Sequence, residues 1–417
     1  MYDKRKRYRL VISLLLSLFL LFPTSLVCKD IILEEPAINV DKRTVKTISH
    51  KRDKDMLGVQ IPFIESKNLL EFERSLGELK DLGIDTLIVR VFQNKGDRNH
   101  RLVKNKRRTG IYFKSSAAPV LEDILQDLVR IARKNNMKIY AWMSTRSCDW
   151  LISENKELRD YYYDFNKRKI LRSHRLNLFK NEAKDYLKRL YVDLARYDID
   201  GILLQDDLIM KHNESFSPEA KAEFLKKFGY NLLPDKMYKE IHRDYRGKID
   251  KYSYRDEFWT WTDWKSHYIV SFLQDLIFST KKINPKLKFI INLYYETISD
   301  PENAKAWLSQ DLEKIKGLNL DYYSFMFYHR QIKKELKLSL NELKEFLKNL
   351  TKRAIARIGD PKKIIFKIQV FDWDNKSKIS SEEISNIISV LRSSGAGNFI
   401  FFPEIKKEEL DSLNKIL

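Results

Sequence analysis

Two aspartates stand side by side at positions 206 and 207, directly after the run Ile199 to Leu204, apolar but for Asp200, and a single glutamine, Gln205. Glycosidic bond cleavage uses two carboxyl groups: one protonates the leaving oxygen, the other serves as base or nucleophile. Adjacent like charges drive one pKa upward, as a general acid needs. The same residues fit a second role, because a carboxylate after a strand often caps the next helix by accepting its free backbone N–H groups. Sequence alone does not divide these two roles between Asp206 and Asp207.

Comparable groups end other apolar runs. Arg90 and Gln93 follow one; Trp142, with Asp149 and Trp150 beyond it, follows the next. Asn292, Tyr294 and Glu296 end a third, Tyr328 and His329 a fourth, Asp372 and Trp373 a fifth, and Glu404 a sixth. Carboxylates interleaved with flat aromatic faces are what a sugar-cleaving groove requires, since the aromatics stack on pyranose rings. Asp372 is therefore a second candidate carboxylate. Trp307 and Trp373 have a plain core alternative, and His329 a hydrogen-bonded one. No H-x-H, His–Glu or CxxC spacing is present, so neither a metal nor a cofactor is expected.

The elements that must position these groups alternate along the chain. Strand-like runs cover Met56 to Phe63, Asp85 to Phe92, Met137 to Met143, Ile199 to Asp207, Leu287 to Tyr295, Leu320 to Tyr328, Lys363 to Trp373 and Asn398 to Glu404. Amphipathic helical stretches lie between them, among them Lys67 to Leu82, Val120 to Asn135, Asn181 to Arg196, Trp261 to Ile283, Leu340 to Ile358 and Glu382 to Ser393. Eight strands with intervening helices predict an α/β fold, a (β/α)8 TIM-like barrel, which takes about 250 residues or more. A helical insertion is expected after the fourth strand, over about Ser217 to Asp256. In such a barrel the working groups sit at the C-terminal ends of the strands.

Residues 1 to 28 read as a signal peptide. Lys4, Arg5, Lys6, Arg7 and Arg9 precede the apolar run Leu10 to Phe22, which is too short to span a bilayer comfortably. Export to the periplasm, outer membrane or cell surface is the expectation. Cys28 is the candidate for lipid attachment and membrane association, although Val27 departs from the small residue such a signal takes; ordinary cleavage nearby is the alternative. Residues 29 to 55 read as a polar tether and 56 to 417 as the barrel. The net charge of +20 is spread over helices in which Lys and Arg alternate with Glu and Asp, so nucleic acid is not an expected partner. One dense basic block, Asn94 to Arg108, reads as a surface loop, with anionic-surface binding as its alternative.

Seven stretches occur together and in order: TGIYFKSSAAP (109–119), KIYAWM (138–143), DGILLQDD (200–207), NPKLKFIINLYYE (284–296), PENAKAWLSQDL (301–312), IQVFDW (368–373) and GAGNFIFFPE (395–404). Together they resemble the C-terminal glycoside hydrolase domain of the poly-β-1,6-N-acetyl-D-glucosamine deacetylases of biofilm export systems, the PgaB type, over residues 56 to 405. The resemblance implies endo-acting cleavage of partially de-N-acetylated poly-β-1,6-N-acetylglucosamine, with exopolysaccharide export machinery as an associated partner. It implies a catalytic acid among Asp206 and Asp207, Glu302 as a second carboxylate, and Trp307 and Trp373 along the sugar groove. Tyr112, inside the first stretch, joins Trp142, Asn292, Tyr294 and Glu404 in the expected substrate-binding set.

Two departures qualify this. The family has a histidine where this chain has Gln205. Residues 29 to 55 are too short for the family's deacetylase domain and carry no His or Asp cluster for its metal, so deacetylation is not expected. Two other readings remain: a barrel that binds polysaccharide as an export scaffold without cutting it, and a hydrolase of a different glycan.

Overall fold

The computed structural model describes residues 55–105, 107–243, 249–318 and 320–403. Residues 1–28, read from the sequence as a signal peptide, Cys28 among them, and Glu404 lie outside these residues. Eight strands close into one barrel: β1 (Leu57–Ile61), β2 (Thr86–Arg90), β3 (Lys138–Met143), β4 (Gly201–Leu204), β5 (Lys288–Tyr294), β6 (Tyr322–Phe327), β7 (Ile364–Gln369) and β8 (Asn398–Phe402). Every strand pairs in parallel with its sequence neighbours, and β8 closes on β1 with Leu57 opposite Phe399 and Val59 opposite Phe401. This is the (β/α)8 architecture that the alternation of runs predicts.

The two faces of the strands differ in chemistry. Phe289, Ile291 and Leu293 on β5, with Phe325 and Phe327 on β6 and Ile364, Phe366 and Ile368 on β7, form one buried apolar series. The alternate series carries polar groups, because side chains on a strand alternate between its faces. Its direction is fixed by Lys367, whose Nζ reaches from β7 past β6 to donate to Asn292 Oδ1 on β5 at 2.5 Å. Arg90, Trp142, Ser324 and Gln369 fall in the same inward register. Gly201 is needed in this layer: a Cβ there would lie 2.2 Å from the Lys288 carbonyl oxygen and 2.5 Å from the Tyr140 ring.

The main helices are α1 (Leu69–Asp81), α2 (Leu125–Lys134), α3 (Asn181–Leu194), α4 (Pro218–Phe228), α5 (Asp256–Lys281), α6 (Pro301–Leu308), α7 (His329–Leu336), α8 (Leu340–Ile358) and α9 (Ser381–Arg392). Local chemistry sets their ends. Ser339 and Glu342 form a reciprocal capping box at the start of α8. At α4, Ser217 caps, Pro218 fills the first turn, and Gly229 at φ +78 closes the C-terminus in the left-handed region. Among the described residues no helix is long and apolar enough to cross a membrane.

The expected helical insertion after β4 is corrected. The segment holds α4, a short helix at Pro234–Met237, and then an antiparallel hairpin of Tyr238–Arg243 with Ile249–Tyr254. In the run from Ile249 to Tyr254 only Tyr252 and Tyr254 keep a spacing of two, while Ile249 stands three before Tyr252, so the pattern does not distinguish strand from helix. A second hairpin, Arg159–Asp164 with Lys169–Leu176, stands after β3 and was not foreseen. Fully buried Arg146 ties this hairpin to the loop after β4: it pairs with Asp160 at 2.7 Å and with Glu214 at 3.0 Å, and donates to the Leu176 carbonyl at 3.1 Å. Burial pushes the Asp160 carboxyl up to about 6 despite the opposing pull of Arg146.

Candidate active site

The adjacent aspartates have opposite surroundings. Asp207 is only 4% exposed, and its carboxylate is fully committed. It accepts from Ser144 Oγ at 2.8 Å, from the Thr145 N–H at 3.0 Å and Oγ1 at 2.5 Å, and from the Ser147 N–H at 2.6 Å. Arg175 adds a distant ion pair at 4.0 Å. All four donors belong to the turn after β3, so Asp207 fixes that turn against β4. The Arg175 guanidinium, carried by the hairpin after β3, braces the same turn by donating to Ser147 Oγ at 2.8 Å.

Asp206 turns the other way. It lines a cavity of about 210 Å³ with Tyr294, Tyr295, Met326, Tyr328, Gln331 and Ile332. No other described residue hydrogen-bonds to its side chain. Burial raises its pKa, and the neighbouring Asp207 charge raises it further, while the cations of Lys367 and Arg175 pull it back. Burial in turn depresses the Lys367 ammonium to about 7, with Asp206 opposing that shift. Burial followed by the nearby Asp206 charge holds the Tyr294 and Tyr328 hydroxyls well above the usual phenol range, so both stay protonated donors. Glu296, buried just beyond β5, and Asp207 also act on the Tyr294 hydroxyl, in that order after Asp206. The result is a shielded carboxyl group with a raised pKa, an adjustable cation beneath it and phenol donors beside it.

Aromatic rings continue from this cavity along the barrel mouth. Tyr328 lies 6.0 Å from Phe402 in a stacked pair and 4.9 Å from Trp373 edge to face. Phe402 meets Trp142 at 5.9 Å, and Trp142 meets Phe92 at 6.0 Å. Trp373 is 38% exposed, which offers a bare indole face to a ligand. Gln205, where the resembling family has histidine, accepts a hydrogen bond from Trp142 Nε1. Its amide therefore orients an aromatic wall, a task that needs no titratable group.

The remaining sequence candidates scatter. Asp372 is bound to Arg330 at 2.8 Å and accepts from the Asp374 N–H at 2.9 Å and Asn375 Nδ2 at 2.9 Å. Burial alone would raise its carboxyl, but these partners hold it below the usual range. It faces a separate hollow of about 790 Å³ between α7, α8 and α9, with His329 and Glu383. Glu302 is exposed on the first turn of α6, and Trp307 on the same helix packs on His212 with centroids 4.2 Å apart. Tyr112 is fully buried and donates to Gln93 at 2.6 Å, so it faces the interior of the fold. Asn292 lies beneath the site as the acceptor for Lys367.

Lys367, Arg175 and the Ser144–Ser147 turn were missed. For Lys367 a signal existed: a lysine in the middle of the buried run IIFKIQVF has no solvent to reach. Arg175 carries no comparable mark, because its place depends on the unforeseen hairpin.

A closed parallel barrel with an isolated, shielded acid and an aromatic rim at the C-terminal mouth defines a glycoside hydrolase of the (β/α)8 class. The chain belongs to hypothetical glycosyl hydrolase family 13, whose model matches residues 65–402. No curated protein matches it. Among solved structures, the PgaB (BpsB) glycoside hydrolase domain of Bordetella bronchiseptica shares 20% identity and a TM-score of 0.66, covering 87% of this chain and 98% of that one. The α-L-fucosidase isoenzyme 2 of Paenibacillus thiaminolyticus aligns at 14% identity and TM-score 0.55, over 87% of this chain and 48% of that one. The β-amylase catalytic domain of Paenibacillus polymyxa aligns at 12% identity and TM-score 0.54, over 87% and 97%. At these identities the likeness is one of fold.

Proposed function

We propose that this glycoside hydrolase cuts within chains of the poly-β-1,6-N-acetylglucosamine type, with Asp206 as general acid and Glu296 as the second carboxylate. The observation that carries the reading is the split within the aspartate pair: Asp207 spends its lone pairs on the turn after β3, while Asp206 stays unbonded in the cavity. In the proposed step the Asp206 carboxyl gives its proton to the glycosidic oxygen as the C1–O bond breaks, and the bonding electrons leave with that oxygen. Glu296 then either bonds to C1 or takes the proton of an attacking water. Carboxyl groups roughly 5 Å apart give retention, and those about 6.5 Å apart or more give inversion.

Several features support the polymer and its internal cleavage. A cavity of about 210 Å³ is small beside common ligand pockets of roughly 300–1,000 Å³, so it accepts part of a longer chain. The aromatic row from Trp142 to Trp373 gives neighbouring sugars surfaces to lie on, and the fold likeness to the PgaB domain agrees with that substrate class. Export through residues 1–28 would bring the enzyme to such a polymer.

The test is product analysis on a panel of polysaccharides with the wild-type protein and Asp206→Asn, Glu296→Gln and Asp207→Asn variants. Cleavage of amino-sugar chains to oligomers, lost with Asp206→Asn, supports the reading. Wild-type protein that leaves every amino-sugar polymer intact overturns it. The anomer released first, read by NMR, assigns retention or inversion.

A further inference from the structure

The sugar site leaves one part of the catalytic rim unexplained. The loop after β2 runs NKGDRNHRLVKNKRR from Asn94 to Arg108. Lys95, Arg98, Arg101, Lys104, Arg107 and Arg108 are exposed, and among the described residues none of them pairs with a carboxylate. The loop's single acid, Asp97, is already neutralised by Arg90 at 3.0 Å. An exposed basic run is ordinarily a solvated face. Two observations separate this one from that default.

The first is its anchorage to the acid pair. Asn94 Nδ2 donates to the Ser147 carbonyl at 2.7 Å, the Asp149 N–H donates to Asn94 Oδ1 at 3.0 Å, and the Lys95 N–H donates to Asp149 Oδ2 at 2.8 Å. Ser147 in turn donates its own N–H to Asp207. Two hydrogen-bonded steps thus join the base of the loop to the residue beside Asp206, and Arg175 holds the same serine from the other side.

The second is that the loop is held in shape. His100 is buried and bridges the Ile64 N–H at 2.9 Å and the Arg90 carbonyl at 2.8 Å. The Arg101 N–H donates to the Ile64 carbonyl at 2.9 Å, and the Arg98 guanidinium lies 3.8 Å over the Phe63 ring. Cations on an ordered frame lose little freedom when they bind, and guanidinium forks match carboxylate and phosphate oxygens.

We propose that this rim binds anionic groups carried by the polysaccharide, so that the physiological chain is negatively charged along its length rather than cationic. The inference rests on the proposed function for the backbone that is cut. A de-N-acetylated chain brings ammonium groups toward Arg175, Lys367 and the basic loop, all of which repel it. Carboxylate or phosphate-ester substituents reverse that sign, and the net charge of +20 steers such a chain toward the protein.

The experiment uses one backbone in three charge states: poly-β-1,6-N-acetylglucosamine, its partly de-N-acetylated form, and that form with the freed amines N-succinylated. Binding is measured with the full chain carrying Asp206→Asn, so that turnover plays no part. Expected is tightest binding of the succinylated chain, weakening steeply between about 50 and about 300 mM salt. Combined Arg101→Glu, Lys104→Glu, Arg107→Glu and Arg108→Glu substitutions should lower the succinylated-to-acetylated affinity ratio roughly tenfold. The Gln versions of these variants should fall between, with an unfolding midpoint matching the parent. An unchanged ratio, or tightest binding of the cationic chain, overturns the inference. Loop-dependent capture by phosphatidylglycerol vesicles without binding of the succinylated chain also overturns it, by assigning the loop to a membrane. Should wild-type protein cut no amino-sugar chain yet bind the succinylated one through this loop, the proposed function fails and this inference stands.

Discussion

Two acidic clusters share the mouth of the barrel. Around Asp372, the Arg330 guanidinium bridges two carboxylates: it reaches Asp372 at 2.8 Å and Glu383 at 2.6 Å, while His329 meets Glu383 at 3.0 Å. Hydrogen bonds from Arg330 and then His329 drive the Glu383 carboxyl far below its usual range. Around Asp206 no such partner closes in, and burial moves its carboxyl the other way. Each cluster places an aspartate just beyond a barrel strand, Asp206 after β4 and Asp372 after β7. A carboxylate whose lone pairs are satisfied has a depressed pKa and a fixed place, which suits architecture. One that is shielded and unsatisfied holds a proton ready to give. Asp207 shares the fixed place of the first kind, held by the turn after β3, although it adjoins Asp206 in the chain.

The largest effect should come from Asp206→Asn. General acid catalysis is worth about 10²- to 10⁴-fold, so kcat should fall by that factor while the unfolding midpoint stays near wild type. If this variant instead unfolds early and keeps its activity, the contrast between the clusters is wrong. Asp207→Asn should reverse the balance. Its amide NH2 would face N–H and O–H donors of the turn that had an acceptor there, leaving buried donors unsatisfied at a cost of about 1–3 kcal/mol. Denaturant unfolding should show that loss, and activity in the cold should decline less than for Asp206→Asn.

The barrel was legible because its signal is local. Each of the eight strands is a predominantly apolar run, and each run fell within a few residues of the strand that formed. The acid pair was legible by type and by its place after β4. Its division of labour was not, since the donors that commit Asp207 lie some sixty residues earlier and meet it only through the pairing of β3 with β4. Asp372 looked equivalent to Asp206 because Arg330, which neutralises it, comes from a different strand end. The two hairpins were hidden for another reason: their pattern is short and rich in charge, and it lies between stronger helical patterns. With the first hairpin went any prospect of placing Arg175.

Lys367→Met should give a smaller and more diagnostic change. The ammonium lowers the Asp206 pKa, so its removal lets that pKa rise further. A general acid works only below its pKa, and the alkaline limb of the kcat profile should therefore move up by roughly one pH unit. The wild-type limb should also be sensitive near pH 7, where Lys367 itself loses its proton. A variant with an unmoved limb would separate Lys367 from Asp206 and leave it a role only in holding Asn292.

Asp372→Asn is expected to do least. Its folded pKa is depressed, so the charge stabilises the fold above the unfolded value of about 3.9. That contribution is lost as pH falls through the folded pKa. Wild type should therefore exceed the variant by less than about 1 kcal/mol near neutrality, because Arg330 retains Glu383 and sits partly in solvent. The difference should vanish in acid, and kcat/KM should stay within about twofold at every pH, since the substitution removes one partner of an ion pair. A drop approaching that of Asp206→Asn would move Asp372 from the satisfied cluster into the chemistry, and would point to a chain that spans both the small cavity and the larger hollow beside α7.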